Sequence, residues 1–193
     1  MALLIYDPEF EAEARALRPG LSEDRWTEVW EGVEVVSPIA NNEHQKLVFG
    51  LGAAFYALID QAGRGEAFGP VNVSDRTPDW LDNYRNPDLA VFLTGTSAID
   101  HGTHWVGGPD LAVEVISPGE NPTAKFTFYE SINTQEVLLI QRYPWAVELY
   151  ALVAGKLTPV PSGTSALGMT FSIVPAKPRP RVRVTTADRE WLV

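Results

Sequence analysis

Two carboxylates sit in this chain where charge is costly. Asp88 opens the run Pro87-Asp88-Leu89-Ala90-Val91-Phe92, and Glu114 lies inside Leu111-Ala112-Val113-Glu114-Val115-Ile116. A charge among Leu, Ala, Val and Ile side chains is expensive to bury unless it meets a partner or a metal. If the connection between the runs is centred near residue 101, antiparallel pairing sets Asp88 opposite Glu114 and Val91 opposite Leu111. Facing residues on paired strands hold their Cβ atoms about 5 Å apart. That is near enough for both carboxylates to hold one Mg²⁺, which prefers oxygen ligands. The rival pair, Asp110 with Glu114 on one strand, points to one face but spans about 13 Å at roughly 3.3 Å per residue, too far for one ion.

The elements that must position these groups follow from pattern. Residues 8–18, rich in Glu, Ala and Arg, read as a short exposed helix stopped by Pro19-Gly20. Trp26–Trp30 and Val33–Ser37 flank Glu31-Gly32 as a hairpin. Asn41 or Asn42 caps a helix over about 43–61, whose Leu47, Leu51, Ala54, Phe55 and Leu58 recur at helical spacing and which Gly63 ends. A strand near 66–73, a polar loop over 75–87, and strands at 88–93 and 110–116 come next. Asn121-Pro122 starts a second helix to about Ile132. A buried strand at 136–141 and a hairpin over 145–152 and 156–160 close the core. The order helix, three strands, helix, strand, with extra strands at both ends, predicts an α/β sandwich around a mixed sheet.

Composition bounds the rest. The 193 residues suit one domain, and 45% hydrophobic content provides a packed core. There is no cysteine, so disulfides, thiolate metal sites and a Cys nucleophile are excluded. No Gly-x-Ser-x-Gly elbow supports a serine hydrolase. The opening Met1-Ala2-Leu3-Leu4-Ile5 is too short for a signal peptide and no stretch is long enough to span a membrane, so the expected location is the cytoplasm. A formal charge of −10 weighs against nucleic acid unless the basic side chains are segregated. Lys177, Arg179, Arg181 and Arg183 alternate near the C-terminus, and residues 175–193 read as a basic tail: a solvated segment or charged edge strand, or a phosphate-contacting arm.

With these residues in place, the chain resembles the PD-(D/E)XK nuclease superfamily. More closely it resembles the Uma-type restriction endonuclease family, long described as a domain of unknown function. The resemblance spans roughly residues 25 to 160 and rests on Gly32, Ser37-Pro38, His44, Pro87-Asp88, the block from Pro109 to Pro118, and Lys125 with Tyr129. It implies divalent-metal-dependent cleavage of DNA phosphodiesters, with Asp88 and Glu114 as ligands of Mg²⁺ or Mn²⁺, a backbone carbonyl such as that of Val115 beside them, and Lys125 as the catalytic lysine. The superfamily places that lysine two residues after the Glu, where this chain has Ile116. Lys125, one helical turn before Tyr129, fits a relocation to the following helix.

The weaker candidates keep their alternatives. His44 is either a core histidine or a group that orients a ligand carboxylate. Glu43 and Glu34 are secondary, Ser117 and Tyr129 read as structural or supporting hydrogen bonders, and His101 and His104 with Asp100 lack the further ligands a zinc site needs. The primary reading is a Mg²⁺-dependent DNA endonuclease. Aromatics around Trp26, Trp30 and Trp145 suggest a homodimer. The rival reading is a non-catalytic dimeric binding or regulatory module that keeps the nuclease fold.

Overall fold

A computed structural model describes residues 3–4, 27–36 and 40–193. The expected helix over 8–18, Trp26 and Ser37-Pro38 lie outside the described residues.

The first hairpin joins β2 (Thr27–Trp30) to β3 (Val33–Val36), and β1 (Leu3–Leu4) pairs with β3. Its two-residue turn puts Glu31 at φ 48° and Gly32 at φ 81°, the pair of positive values that matches the twist of a tight hairpin. Asn41 then caps α1 (Asn42–Phe55), its side chain accepting from the His44 amide at 2.9 Å. The expected apolar face is buried: Leu47, Leu51, Ala54 and Phe55 are all within 2% exposure. The helix continues as one wider turn over Tyr56–Asp60 before Gly63.

The strands that follow are β4 (Gly65–Phe68), β5 (Val73–Ser74), β6 (Tyr84–Arg85), β7 (Leu89–Leu93), β8 (Ile99–Asp100), β9 (Trp105–Val106) and β10 (Leu111–Ile116). After α2 (Phe126–Ser131) come β11 (Glu136–Arg142), β12 (Trp145–Val153), β13 (Lys156–Pro159), β14 (Thr170–Val174), β15 (Arg181–Thr185) and β16 (Glu190–Leu192). A six-stranded mixed sheet in the order β13-β12-β11-β10-β7-β4 is the centre of the molecule. β10 runs antiparallel to β7 and parallel to β11. A parallel neighbour requires a crossover, and the segment carrying α2 supplies it. The core order α1, β4, β7, β10, α2, β11 is the one the sequence predicts.

Alternation divides this sheet into two faces. Leu89, Val91, Leu111, Val113 and Val115 pack with α1 and with Phe171, Val182 and Val184 of the three-stranded sheet β14-β15-β16. Ala90, Phe92, Ala112, Val137 and Leu139 pack instead with Phe128 and Tyr129 of α2, with Ile132 just after it, and with Trp105. Trp105, stacked on Phe92 at 3.8 Å between ring centroids, brings in a second sheet, β1-β3-β2-β6-β5-β9-β8.

Two expectations are corrected. The second helix does not start at Asn121-Pro122: the Asn121 side chain folds back to the Thr123 amide and hydroxyl, at 3.2 Å each, so residues 122–125 are turns and Lys125 stands at the helix entrance. Residues 175–193 are not a basic tail. Arg181 and Arg183 belong to β15, the middle strand of its sheet, where Val182 and Val184 alternate with them and are fully buried. Among the described residues no helix is long and apolar enough to cross a membrane.

Candidate active site

The register of β7 and β10 places the two carboxylates. Leu111 faces Val91, Ala112 faces Ala90 and Val113 faces Leu89. One step further along the same register sets Glu114 against Asp88. Glu114 has the parity of Ala112 and turns to the α2 face, where Lys125 and Tyr129 meet it, while Asp88, just before β7, lies close enough to add its charge to that of Glu114. The Asp88 side chain keeps 21% of its surface exposed and that of Glu114 keeps 11%, so solvent reaches the pair more from the Asp88 side.

Asp88 is held from two directions. Its Oδ1 lies 2.9 Å from His44 Nε2, and its Oδ2 accepts the Val115 amide at 2.7 Å. His44 comes from the first turn of α1, and that turn is pinned: the Asn41 Oδ1 that caps it also accepts from Arg142 Nη1 at 2.8 Å, at the far end of β11. A strand residue sends its amide and carbonyl to the same edge, so the Val115 carbonyl also faces the Asp88 side.

Glu114 is surrounded from the α2 side. Lys125 Nζ donates to both its oxygens, at 2.9 and 3.0 Å, and the Tyr129 hydroxyl donates to Oε1. The geometry of the crossover makes this contact possible. Gly108, just before β10, passes so close to Thr134, just after α2, that a Cβ there would stand 2.3 Å from the Thr134 amide nitrogen. That close approach ties the start of β10 to the end of α2.

A third carboxylate enters from the other sheet. Glu28 on β2 is buried and accepts Lys125 Nζ at 2.7 Å. It also accepts the Asn86 amide at 2.8 Å on Oε1 and the Trp30 indole N–H at 2.8 Å on Oε2. Sequence reasoning missed Glu28. Its signal in the sequence is the one Glu114 carries, a carboxylate between strand residues. The other candidates lie elsewhere or do other work. Glu43 is paired with Arg179 at 3.3 Å and Arg142 at 3.5 Å. Ser117 gives its amide to Glu120. Glu34 lies on β3, in register with Val29 of β2. His104 stacks on Trp80 and on His101 at the edge by β8 and β9, and this buried His104 has its pKa lowered by burial and by His101.

The electrostatics follow from crowding. Burial pushes the Glu114 carboxyl up to about 7; Lys125 pulls against this, while Asp88 and Glu28 add to it. Burial alone would lower Lys125, but Glu114 and Glu28 outweigh it and hold the ammonium above the ordinary lysine range. Burial, Glu114 and Glu28 together keep the Tyr129 phenol well above its usual value. Lys125 is therefore a permanent cation and Tyr129 a permanent donor.

The donor set fits a hard divalent cation. Among the described residues no three His, Asp or Glu side chains form a cage by themselves. An ion here would rest on Asp88, Glu114 and the Val115 carbonyl, leaving positions for water and a phosphate, as Mg²⁺ requires.

Comparison with known proteins supplies a family and a fold. The family model Uma2, described as "Putative restriction endonuclease", matches residues 13–176. A solved structure from Anabaena variabilis ATCC 29413, described as a putative nuclease belonging to DUF820, superposes with a TM-score of 0.55 at 17% identity. It covers 78% of this chain and 80% of its own. At that identity the likeness shows the fold, which is restriction-endonuclease-like. No curated protein matches the chain.

Proposed function

The chain belongs to the Uma2 family, and we propose that it is a divalent-metal-dependent DNA endonuclease, hydrolysing phosphodiesters in the cleft of Asp88, Glu114 and Lys125. The observation that carries this reading is the meeting of three groups: the Glu114 carboxylate of β10, the Asp88 carboxylate held beside it on the Val115 amide, and the Lys125 amine on the Glu114 carboxylate. The lysine that the superfamily keeps two residues after the glutamate is here supplied from the entrance of α2.

A cation held by Asp88, Glu114 and the Val115 carbonyl would supply a Lewis acid and lower the pKa of an attacking water. The protein's own groups do the rest. His44 and the Val115 amide fix the orientation of Asp88, as supporting hydrogen bonds fix metal ligands generally. Lys125 cannot take a proton, since it already holds its own firmly. Its role is to donate to, and neutralise, the charge that develops on the phosphate. Tyr129 keeps one Glu114 oxygen satisfied and the side chain in a single orientation.

A specific observation favours a second reading, the non-catalytic module. The Glu114 oxygens are engaged by Lys125 and Tyr129, and those of Asp88 by His44 and Val115. Such a network closes on itself without a metal. The two readings part on one experiment: incubation of supercoiled plasmid with Mg²⁺ or Mn²⁺, beside Asp88→Asn as control. Cleavage by the wild type and none by the variant supports the nuclease. No cleavage of any DNA form by the wild type supports the module. Cutting both strands is simplest with two copies related by a two-fold axis, so the proposal includes a homodimer, which sedimentation at micromolar concentration tests. Trp30 and Trp145 are half-buried in their own chain, and the exposed Phe49 and Tyr143 are better placed for such a contact.

A further inference from the structure

Glu28 has no part in the mechanism above, yet its oxygens are engaged on every side. Oε2 takes the Trp30 indole N–H, and Oε1 takes both the Asn86 amide and Lys125 Nζ. The side chain is 7% exposed. Its backbone lies on β2, in a different sheet from Glu114, and Asn86 stands two residues before Asp88. The carboxylate thus bridges the strand leading to one ligand residue and the lysine that sits on the other. Arg85 is its further cationic neighbour, with its guanidinium between the Trp30 and Phe128 rings.

Lys125 has two carboxylate partners at hydrogen-bond distance, Glu28 at 2.7 Å and Glu114 at 2.9 Å. That duplication has a consequence for the proposed function, on which the following rests. If Glu114 were the only partner, engaging a cation would strip a largely buried ammonium of its counter-charge, and an unpaired buried charge is strongly unfavourable. The ammonium and the cation would compete for the same two oxygens. We propose that Glu28 is the positioning residue of Lys125: it holds the ammonium at the cleft and so frees Glu114 to serve a divalent cation. Glu28 touches neither cation nor phosphate in this assignment. It acts through Lys125, and its firm fixing by Trp30 and Asn86 lets it do so without moving.

A double-mutant cycle read by Mn²⁺ calorimetry tests this, with circular dichroism confirming that each variant is folded. In Glu28→Gln the lysine keeps Glu114 as its only carboxylate, and Mn²⁺ affinity falls by about tenfold or more. In Lys125→Met there is no ammonium to compete, and affinity is retained. The distinguishing result is the double variant: with Lys125 gone, adding Glu28→Gln changes Mn²⁺ affinity by no more than about threefold. If Glu28→Gln weakens Mn²⁺ equally with and without Lys125, Glu28 acts on the cation, on Arg85 or on the fold itself, and the assignment is wrong. It is equally wrong if Glu28→Gln leaves affinity unchanged. Should Glu28→Gln not fold, Glu28→Asp, which keeps the charge but withdraws it, carries the same comparison. A wild type that binds no Mn²⁺ overturns the nuclease reading itself, a result distinct from an additive cycle in a protein that does bind it.

Discussion

Two buried glutamates on adjacent strands of the central sheet meet opposite fates. Glu136 on β11 is 4% exposed and Glu114 on β10 is 8% exposed. Glu136 is satisfied by neutral donors from one loop, the Ser165 hydroxyl and the Ala166 amide at 2.8 Å. Glu114 is ringed by titratable groups: Lys125, Tyr129, Asp88 and Glu28. Burial of a carboxylate therefore does not mark a site. Both have solved the desolvation problem, one by closing a turn and the other by gathering charges. Like charges gathered around a cleft cost stability unless something else is gained, and perturbed groups cluster at functional sites for that reason.

The largest expected difference between the two is in activity. Glu114→Gln should reduce cleavage below detection, at least a hundredfold, in a plasmid assay with Mg²⁺. Glu136→Gln should leave cleavage intact and instead lower stability by about 1–3 kcal/mol, the loss for a disturbed buried hydrogen-bond group, read from denaturant titration. Similar losses of activity in both variants would erase the contrast. Next in size is Lys125→Met, which should slow cleavage by about 10²–10³ without loss of Mn²⁺ binding. Full activity in that variant would return Lys125 to the role of a plain ion-pair partner.

A pH titration sharpens the comparison. The Glu114 carboxyl is raised from an ordinary 4.5 to about 7. Between those values the folded protein holds a proton that the unfolded chain has released, so stability without metal should fall as pH rises through that window. In Glu114→Gln this component of the pH dependence should vanish, whereas Glu136→Gln should retain it. The same proton must leave before a cation can bind, so Mn²⁺ affinity should weaken by about tenfold per unit below 7 and level off above it.

The strand alternation of this site was legible in the chain. The distance from Asp88 to Glu114 and the apolar residues around each set the register that the structure adopts, because a hairpin pairing needs only a turn position and a period of two. A cap at Asn41 or Asn42 was legible for the same local reason, and the structure uses Asn41. Glu28 was legible only as a carboxylate inside a strand; its meeting with Lys125 was not, because Glu28 comes from another sheet, 97 positions away in the chain, and no local pattern encodes such a meeting. The C-terminal strands were half legible. The alternation of Arg181, Val182, Arg183 and Val184 was visible, but its meaning depended on partners: Thr170–Val174 on one side and Glu190–Leu192 on the other. The second helix was overextended because Asn121 serves a turn with Thr123 rather than a helix start.

The smallest predicted effect concerns that C-terminal sheet. Two of its candidate phosphate-binding cations are already paired, Arg179 with Glu43 and Arg183 with Glu190. If the sheet binds DNA, Arg181→Glu with Ca²⁺ present to block cleavage should flatten the salt dependence of binding by about 0.9 in log–log slope for each phosphate that is no longer neutralised. An unchanged slope removes this sheet from the interface and leaves the cleft unaffected.

The central claim is that Asp88 and Glu114 hold a divalent cation together. Calorimetric titration of Mn²⁺ into the wild type and Glu114→Gln at pH 8 tests it most directly, above the range where the Glu114 proton interferes. The account predicts one ion per chain for the wild type and no measurable binding for the variant. Equal binding by both, or none by the wild type, would contradict it.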